Sequence, residues 1–223
     1  MRGTRAVRSS IVGAVVVAGL LAGFSPASAA HATAAGVASA GSARVVRDGQ
    51  NVPVAPVGPC SLTGAQRGSS QGASKDGIVS FGSATSSCGA DPTTHTSTSM
   101  VSGSEFTLSA LVAYGGPKIT IATYQVKCVA NQSGTDVSWQ YTGLTGVAVP
   151  APLPSNYLVP VKSSTGALLA DVTFAEVILP SPNDGSITVH MMHIKLFPNG
   201  VPKGTTAMSG DIYVGSTACS PTA

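Results

Sequence analysis

His190 and His193, together with Glu176 in an apolar run, are the residues of this chain best suited to acid–base or metal chemistry. A metal site needs donors that converge. On a β-strand successive side chains alternate, so residues three apart are expected to point to opposite faces, and His190 and His193 are not expected to share one ion. The zinc-protease pattern needs two histidines four apart on a helix with a glutamate between them. His190-Met191-Met192-His193 meets neither condition. No metal and no cofactor is therefore expected. Glu176 lies within FAEVIL, residues 174–179, where an unpaired buried carboxylate would be strongly destabilising. A register that sets Phe174 or Glu176 opposite His193 brings the carboxylate within reach of the imidazole. A structural polar pair of Glu176 and His193 is the expectation. The catalytic version of the pair is a Glu–His dyad with a partner acid such as Asp171 or Asp211, serving a secreted hydrolase or polysaccharide-active protein. The sequence gives no coherent catalytic set, so no residue is assigned a catalytic role.

Two further patterns carry less. Gly68-Ser69-Ser70-Gln71-Gly72 spells the hydrolase G-x-S-x-G, but that elbow needs a buried strand before it and a helix after it. Here it lies in a Gly/Ser-rich stretch, where a chance match is the expected reading. Tyr114, Tyr124, Tyr141, Tyr157 and Tyr213 are spread over separate segments, and Tyr157 in a proline-rich loop is the candidate to stack on a sugar. Trp139 falls in mid-strand and is expected to anchor the core.

Elements that could hold these residues are written for strands. Charged residues are 9% of the chain, against roughly 25% in an average soluble domain, and such a supply cannot clothe many exposed helices. Alternation of apolar and polar residues predicts strands over 105–114, 118–130 and 136–142. Residues 170–179 and 187–197 are apolar on both faces and are expected to pair as a central hairpin, and a final strand is expected near 210–217. Asn183-Asp184-Gly185 supplies residues that tolerate positive φ at the hairpin loop. Two short edge strands are expected near 77–83 and 93–101. The fold expected is an all-β antiparallel sandwich of about 8–10 strands, one domain over 51–220.

The N-terminus reads as an export signal over residues 1–29. Arg2, Arg5 and Arg8 precede an apolar run from Ile11 to Phe24, and Ala27-Ser28-Ala29 offers a small-x-small cleavage site. Such a run is shorter than the ~20 residues that span a bilayer, which favours a cleaved signal over an anchor. Residues 30–50 are expected to form a flexible Ala/Gly/Ser-rich leader. The signal holds three of the twelve basic residues and none of the nine acidic ones. The remainder is neutral, which removes the electrostatic case for nucleic acid as a partner. No lipoprotein cysteine, C-terminal apolar tail or sorting motif is seen, so release, or retention by an envelope protein or glycan, is expected.

In an oxidising compartment four cysteines predict two disulfides. Spacing leaves three pairings open. Cys60–Cys88 with Cys128–Cys219 is preferred, because the first would staple a Gly/Ser-rich excursion and the second would tie a central strand to the last one.

Ile187-Thr188-Val189-His190-Met191-Met192-His193-Ile194, preceded by Ala175-Glu176 and followed by Gly210-Asp211-Ile212-Tyr213-Val214-Gly215, resembles the choice-of-anchor P family of actinobacterial secreted proteins. Ser102-Gly103-Ser104-Glu105-Phe106 resembles its small-residue opening strand. The resemblance covers roughly residues 100–219. Ala175 and His190 stand where the family carries Asn. The resemblance implies an extracellular or envelope-associated domain without established catalysis. The expected function is thus an exported, non-enzymatic sandwich in surface structure or recognition. The alternatives are the hydrolase above and a secreted inhibitor or carbohydrate- or protein-binding module.

Overall fold

The structure, a computed structural model, describes residues 36–202 and 205–221; the expected export signal over 1–29 and the first residues of the expected leader, 30–35, lie outside them. Fourteen strands hold 60% of these residues: β1 Val37–Arg47, β2 Gln50–Val54, β3 Cys60–Ser61, β4 Arg67–Ser70, β5 Ala73–Lys75, β6 Val79–Phe81 and β7 Ala84–Asp91, then β8 Thr96–Leu108, β9 Ile119–Asn131, β10 Gly134–Thr142, β11 Tyr157–Lys162, β12 Leu168–Ile178, β13 Ile187–Leu196 and β14 Met208–Cys219. They form two seven-stranded antiparallel sheets. The first runs β11-β12-β13-β14-β1-β2 with β3 on β1; the second runs β10-β9-β8-β6-β5, with β7 on β8 and β4 on β7. The inner faces meet in one core that contains Phe106, Phe174, Leu169, Met191, Met192 and Ile194. An all-β sandwich is the observed class. The strand count exceeds the expected 8–10 because short pieces such as β3 and β5 carry little apolar pattern of their own.

The leader expected over 30–50 is corrected from residue 37 onward. Ala38, Ala40, Ala43 and Val45 of β1 are buried, and β1 pairs with β14 along most of its length. The Ala/Gly/Ser composition that reads as flexible is a packing requirement here. A Cβ on Gly41 would fall 2.0 Å from the Phe81 ring, so only glycine lets that ring approach. The Tyr124 hydroxyl donates to the Ala40 carbonyl at 2.8 Å, across the interface between sheets. Small residues on β1 accommodate large ones from the second sheet. Asp48-Gly49, both at positive φ, turn β1 directly into β2, as a two-residue hairpin requires.

Two other boundaries move. The strand expected over 105–114 ends at Leu108 and is followed by a 3-10 turn, Val112–Tyr114. The edge strand expected near 93–101 is the first part of β8, which pairs on both sides, with β7 and with β9. Its Ser/Thr-rich sequence hides that position, because its inward residues include Ser97 and Ser99, buried by donating to carbonyls of Ser220 and Ala218. At the β12–β13 loop only Gly185 has positive φ. Asn183 and Asp184 act instead through their side chains, which accept from the backbone of Gly185 and Ser186.

Both preferred disulfides are present, Cys60–Cys88 and Cys128–Cys219. Each ties one sheet to the other, β3 to β7 and β9 to β14. The loop-entropy model gives them about 3.5 and 4.5 kcal/mol of stabilisation.

Candidate functional site

A break in the pleat positions the titratable residues. Burial along β13 alternates Ile187, Val189, Met191, then resumes as Met192, Ile194, Leu196. Two neighbouring residues therefore face the core, and the outward set shifts by one. The same shift occurs at Phe174-Ala175 on β12, Val214-Gly215 on β14 and Ala40-Gly41 on β1. Ala175 and Gly215 hold φ of 49° and 60°, values that reverse the pleat in one step. Because the opposing strands shift together, the ladder resumes in the same register, Phe174 with Met192 and Glu176 with His190. His190 and His193 consequently lie on one outer face. The expectation that residues three apart face opposite sides is corrected: it assumed unbroken alternation.

Glu176 of β12, His190 and His193 of β13, and Asp211, Tyr213 and Ser216 of β14 form a cluster there. The predicted register is also corrected, since Thr173 is opposite His193 and Glu176 is opposite His190. The predicted pairing is nonetheless present in space: His193 Nδ1 lies 2.9 Å from Glu176 Oε1. His193 Nε2 lies 2.9 Å from Asp211 Oδ1, so one imidazole bridges two carboxylates. The Tyr213 ring stacks on His193 with centroids 4.5 Å apart, and tilts against His190 at 4.6 Å. His190 Nδ1 is 2.8 Å from Ser216 Oγ. Its Nε2 faces Glu176 Oε2 at 4.0 Å, and that buried oxygen has no hydrogen bond.

Electrostatics separate the two histidines. Burial opposes a charge on His193, but hydrogen bonds to Asp211 and Glu176, with the charge of both, hold its pKa up at about 9. It is an imidazolium at neutral pH, donating from both nitrogens. Burial drives His190 down to about 4 against the attraction of Glu176, so it is neutral. Placing its proton on Nε2 aims that hydrogen at Glu176 and leaves Nδ1 to accept from Ser216. The hydrogen bond from His193 holds Asp211 below the usual carboxylate range.

His193 is saturated by the two carboxylates, while Glu176 Oε2 stays without a hydrogen bond. His193 has no lone pair left to take a proton from a substrate. Ser216, His190 and Glu176 line up in the order of a nucleophile relay, but Ser216 lies inside β14 and is paired on both flanks, with His190 and Ser39. Backbone N–H groups spent in two ladders cannot form an oxyanion hole around it. Among the described residues, no group of three His, Cys, Asp or Glu is arranged to hold a metal. Asp171, the other partner acid considered, is opposite Lys195 and Pro160, away from the cluster.

The remaining motifs are placed plainly. Gly68–Gly72 covers the end of β4 and a turn in which Ser70 Oγ accepts from the Gly72 N–H at 3.0 Å, with β5 and not a helix following. The tyrosines do not form one platform: Tyr157, expected in a loop, opens β11 and packs half-buried against the core, as does Tyr141 on β10, Tyr114 donates to Thr206, Tyr124 is buried, and Tyr213 packs against both histidines. Trp139 lies half-buried on β10 at the sheet edge, packed against the core.

Sequence reasoning missed a second feature, an open groove of about 630 Å3 on the outer face of the second sheet. Gln140, Gln125, Ser102, Thr85 and Ser69 cross it in one row, each directly opposite the next through β10, β9, β8, β7 and β4. The signal in sequence was the run of outward polar residues Asp136, Ser138, Gln140 and Thr142 on β10, with Ser102 and Ser104 on β8. Among the described residues no helix is long and apolar enough to cross a membrane. No family model, curated protein or solved structure matches the chain.

Proposed function

We propose that the chain is an exported, non-enzymatic β-sandwich acting at or outside the cell envelope, in surface structure or recognition. The observation that carries this reading is the saturation of His193, whose two ring nitrogens are spent on Glu176 and Asp211. Two disulfides that tie the sheets together support an oxidising destination. The apolar run after Arg2, Arg5 and Arg8 supports export by a cleaved signal, and the resemblance of residues 100–219 to choice-of-anchor P proteins points to the same compartment.

Two measurements test it. Mass spectrometry of non-reduced protein from the culture medium is expected to find a chain beginning near residue 30 with Cys60–Cys88 and Cys128–Cys219 joined. Recovery only from cytosol, with free thiols, contradicts export. A screen of the purified protein against glycan, ester and peptide substrates is expected to show no turnover. Turnover abolished by Glu176→Gln would instead establish the hydrolase alternative that uses Glu176.

A further inference from the structure

We propose that the groove on the outer face of the second sheet binds a neutral glycan chain, laid across strands β10, β9, β8, β7 and β4. This deepens the recognition reading above and rests on it.

The row of Gln140, Gln125, Ser102, Thr85 and Ser69 is organised before any ligand arrives. Gln140 Nε2 donates to Gln125 Oε1 at 3.0 Å, and Gln125 Nε2 donates to Ser102 Oγ at 3.0 Å. Each carboxamide is thereby fixed in orientation while keeping a second N–H, and Gln125 Oε1 keeps a second lone pair. A second row runs beside the first. Thr123 and Thr142 share a hydrogen bond at 2.7 Å, and Ser83 and Ser104 share one at 3.1 Å. Hydroxyls and carboxamides both donate and accept, which is the property of sugar hydroxyls and the reason the two classes recognise each other.

The pleat break recurs at this site. Glu105 holds φ of 51°, and burial along β8 and β9 changes phase at Ser104-Glu105 and Ala122-Thr123. Consecutive residues are turned outward there, Ser104 with Glu105 and Ala122 with Thr123, while Thr123 and Gln125 share the groove face by ordinary alternation.

Charge selects the ligand class. The lining residues carry no charge. Cations begin one row away, at Lys127 opposite Met100 and Arg67 opposite Ser87. A polyanion would find no direct partner in the groove itself. A peptide strand is the other extended ligand, but it binds by pairing its backbone to an unpaired sheet edge. Over β9, β8 and β7, which are already paired on both sides, the groove offers only side chains, and the open strand edges lie at its two ends, β10 and β4. Four strand spacings make the row about 19 Å long. A β-linked hexose chain advances by about one strand spacing per residue, so the row is long enough for about four sugars. The groove volume falls within the roughly 300–1,000 Å3 usual for binding sites.

The test is an amide-shift titration of the oxidised full chain with cellohexaose, laminarihexaose, maltohexaose and mannohexaose at millimolar concentration. Hyaluronan and a neutral Ser-Pro repeat peptide are the comparison probes. Shifts are expected with at least one neutral oligosaccharide and are expected to concentrate at 69–71, 102–104, 123–125 and 140–142. The double variant Gln125→Ala with Gln140→Ala is expected to weaken binding about tenfold or more, and Lys195→Ala on the other sheet to leave it unchanged. Should the double variant melt early, the shift map on the unaltered protein decides alone. No shift with any neutral oligosaccharide overturns the proposal. So do preferential, salt-sensitive binding of hyaluronan, binding of the peptide alone, or shifts centred on His190 and His193. Turnover or cytosolic residence would overturn the broader functional reading instead. An exported, inactive protein that ignores all four sugars would overturn only this one.

Discussion

The two outer faces of the sandwich treat their polar groups in opposite ways. On the first sheet, Glu176, His190, His193 and Asp211 are drawn together and largely satisfy one another, with Tyr213 laid over the imidazoles. On the second sheet, the row from Gln140 to Ser69 is neutral, and its internal bonds fix orientation without using up donors and acceptors. Both sheets carry the same backbone device, a pleat break at Ala175 and Gly215 on one and at Glu105 on the other, but only the histidine cluster is brought together by it. A buried or half-buried charge must be compensated locally, so the first arrangement is a fastening. A neutral hydroxyl face has no such debt to settle and remains available to solvent or ligand.

Removing the Cys128–Cys219 disulfide by paired Cys→Ala substitution should destabilise the fold by about 4.5 kcal/mol, since it fastens β9 to β14 beneath both faces. Thermal melting checks this, and a loss under about 1 kcal/mol would show that the sheets are held otherwise. Gly215→Ala comes next, at about 2–3 kcal/mol. It places a side chain at φ of 60°, with its Cβ 2.9 Å from Val126 Cγ2. Urea titration measures the loss, and an unchanged midpoint would remove the pleat break as a requirement.

Glu176→Gln should lose about 2 kcal/mol, because His193 keeps its charge with only one carboxylate partner. Unchanged stability would mean that the pair contributes nothing. The groove should be unaffected, so sugar binding and stability are expected to separate in this variant.

The pH profile is the smallest effect and has a definite sign. The pKa of His193 is raised to about 9, so its contribution is complete below the unfolded value of 6.5 and disappears as pH rises through 9. His190 is lowered to about 4; its unfolded form takes up the proton first, so stability also falls as pH drops below 6.5. Stability should therefore peak near pH 6.5. The alkaline fall should be roughly 1–2 kcal/mol after allowance for solvent screening, and much smaller in Glu176→Gln. Denaturant midpoints from pH 4 to pH 9 would show it; a flat profile on the alkaline side would contradict the clamp.

Much of the framework was legible in sequence because it rests on pattern and composition. The β12–β13 hairpin and the sandwich class follow from alternation and from the shortage of charge, and the disulfide choice follows from which segments need tying. The Glu176–His193 pair followed from the need of a buried carboxylate for a partner. What alternation could not show was its own interruption. Met191-Met192 reads as one apolar step too many, and nothing local tells that Ala175 adopts positive φ to match it. β1 was misread for a related reason: Ala and Ser at 38–43 look too small for a core, and the partners that require them small, Phe81 and Tyr124, are far away in sequence. The groove was invisible because its row exists only once five strands are in register.

The most direct test of the account is a nitrogen-15 titration of the His193 imidazole in the folded protein. The structure predicts a doubly protonated ring at pH 7, both nitrogens bearing hydrogen, that titrates at about 9. A ring that titrates near 6.5 with one bare nitrogen at pH 7 would contradict the clamp, and would restore His193 as an available base on a face described here as closed.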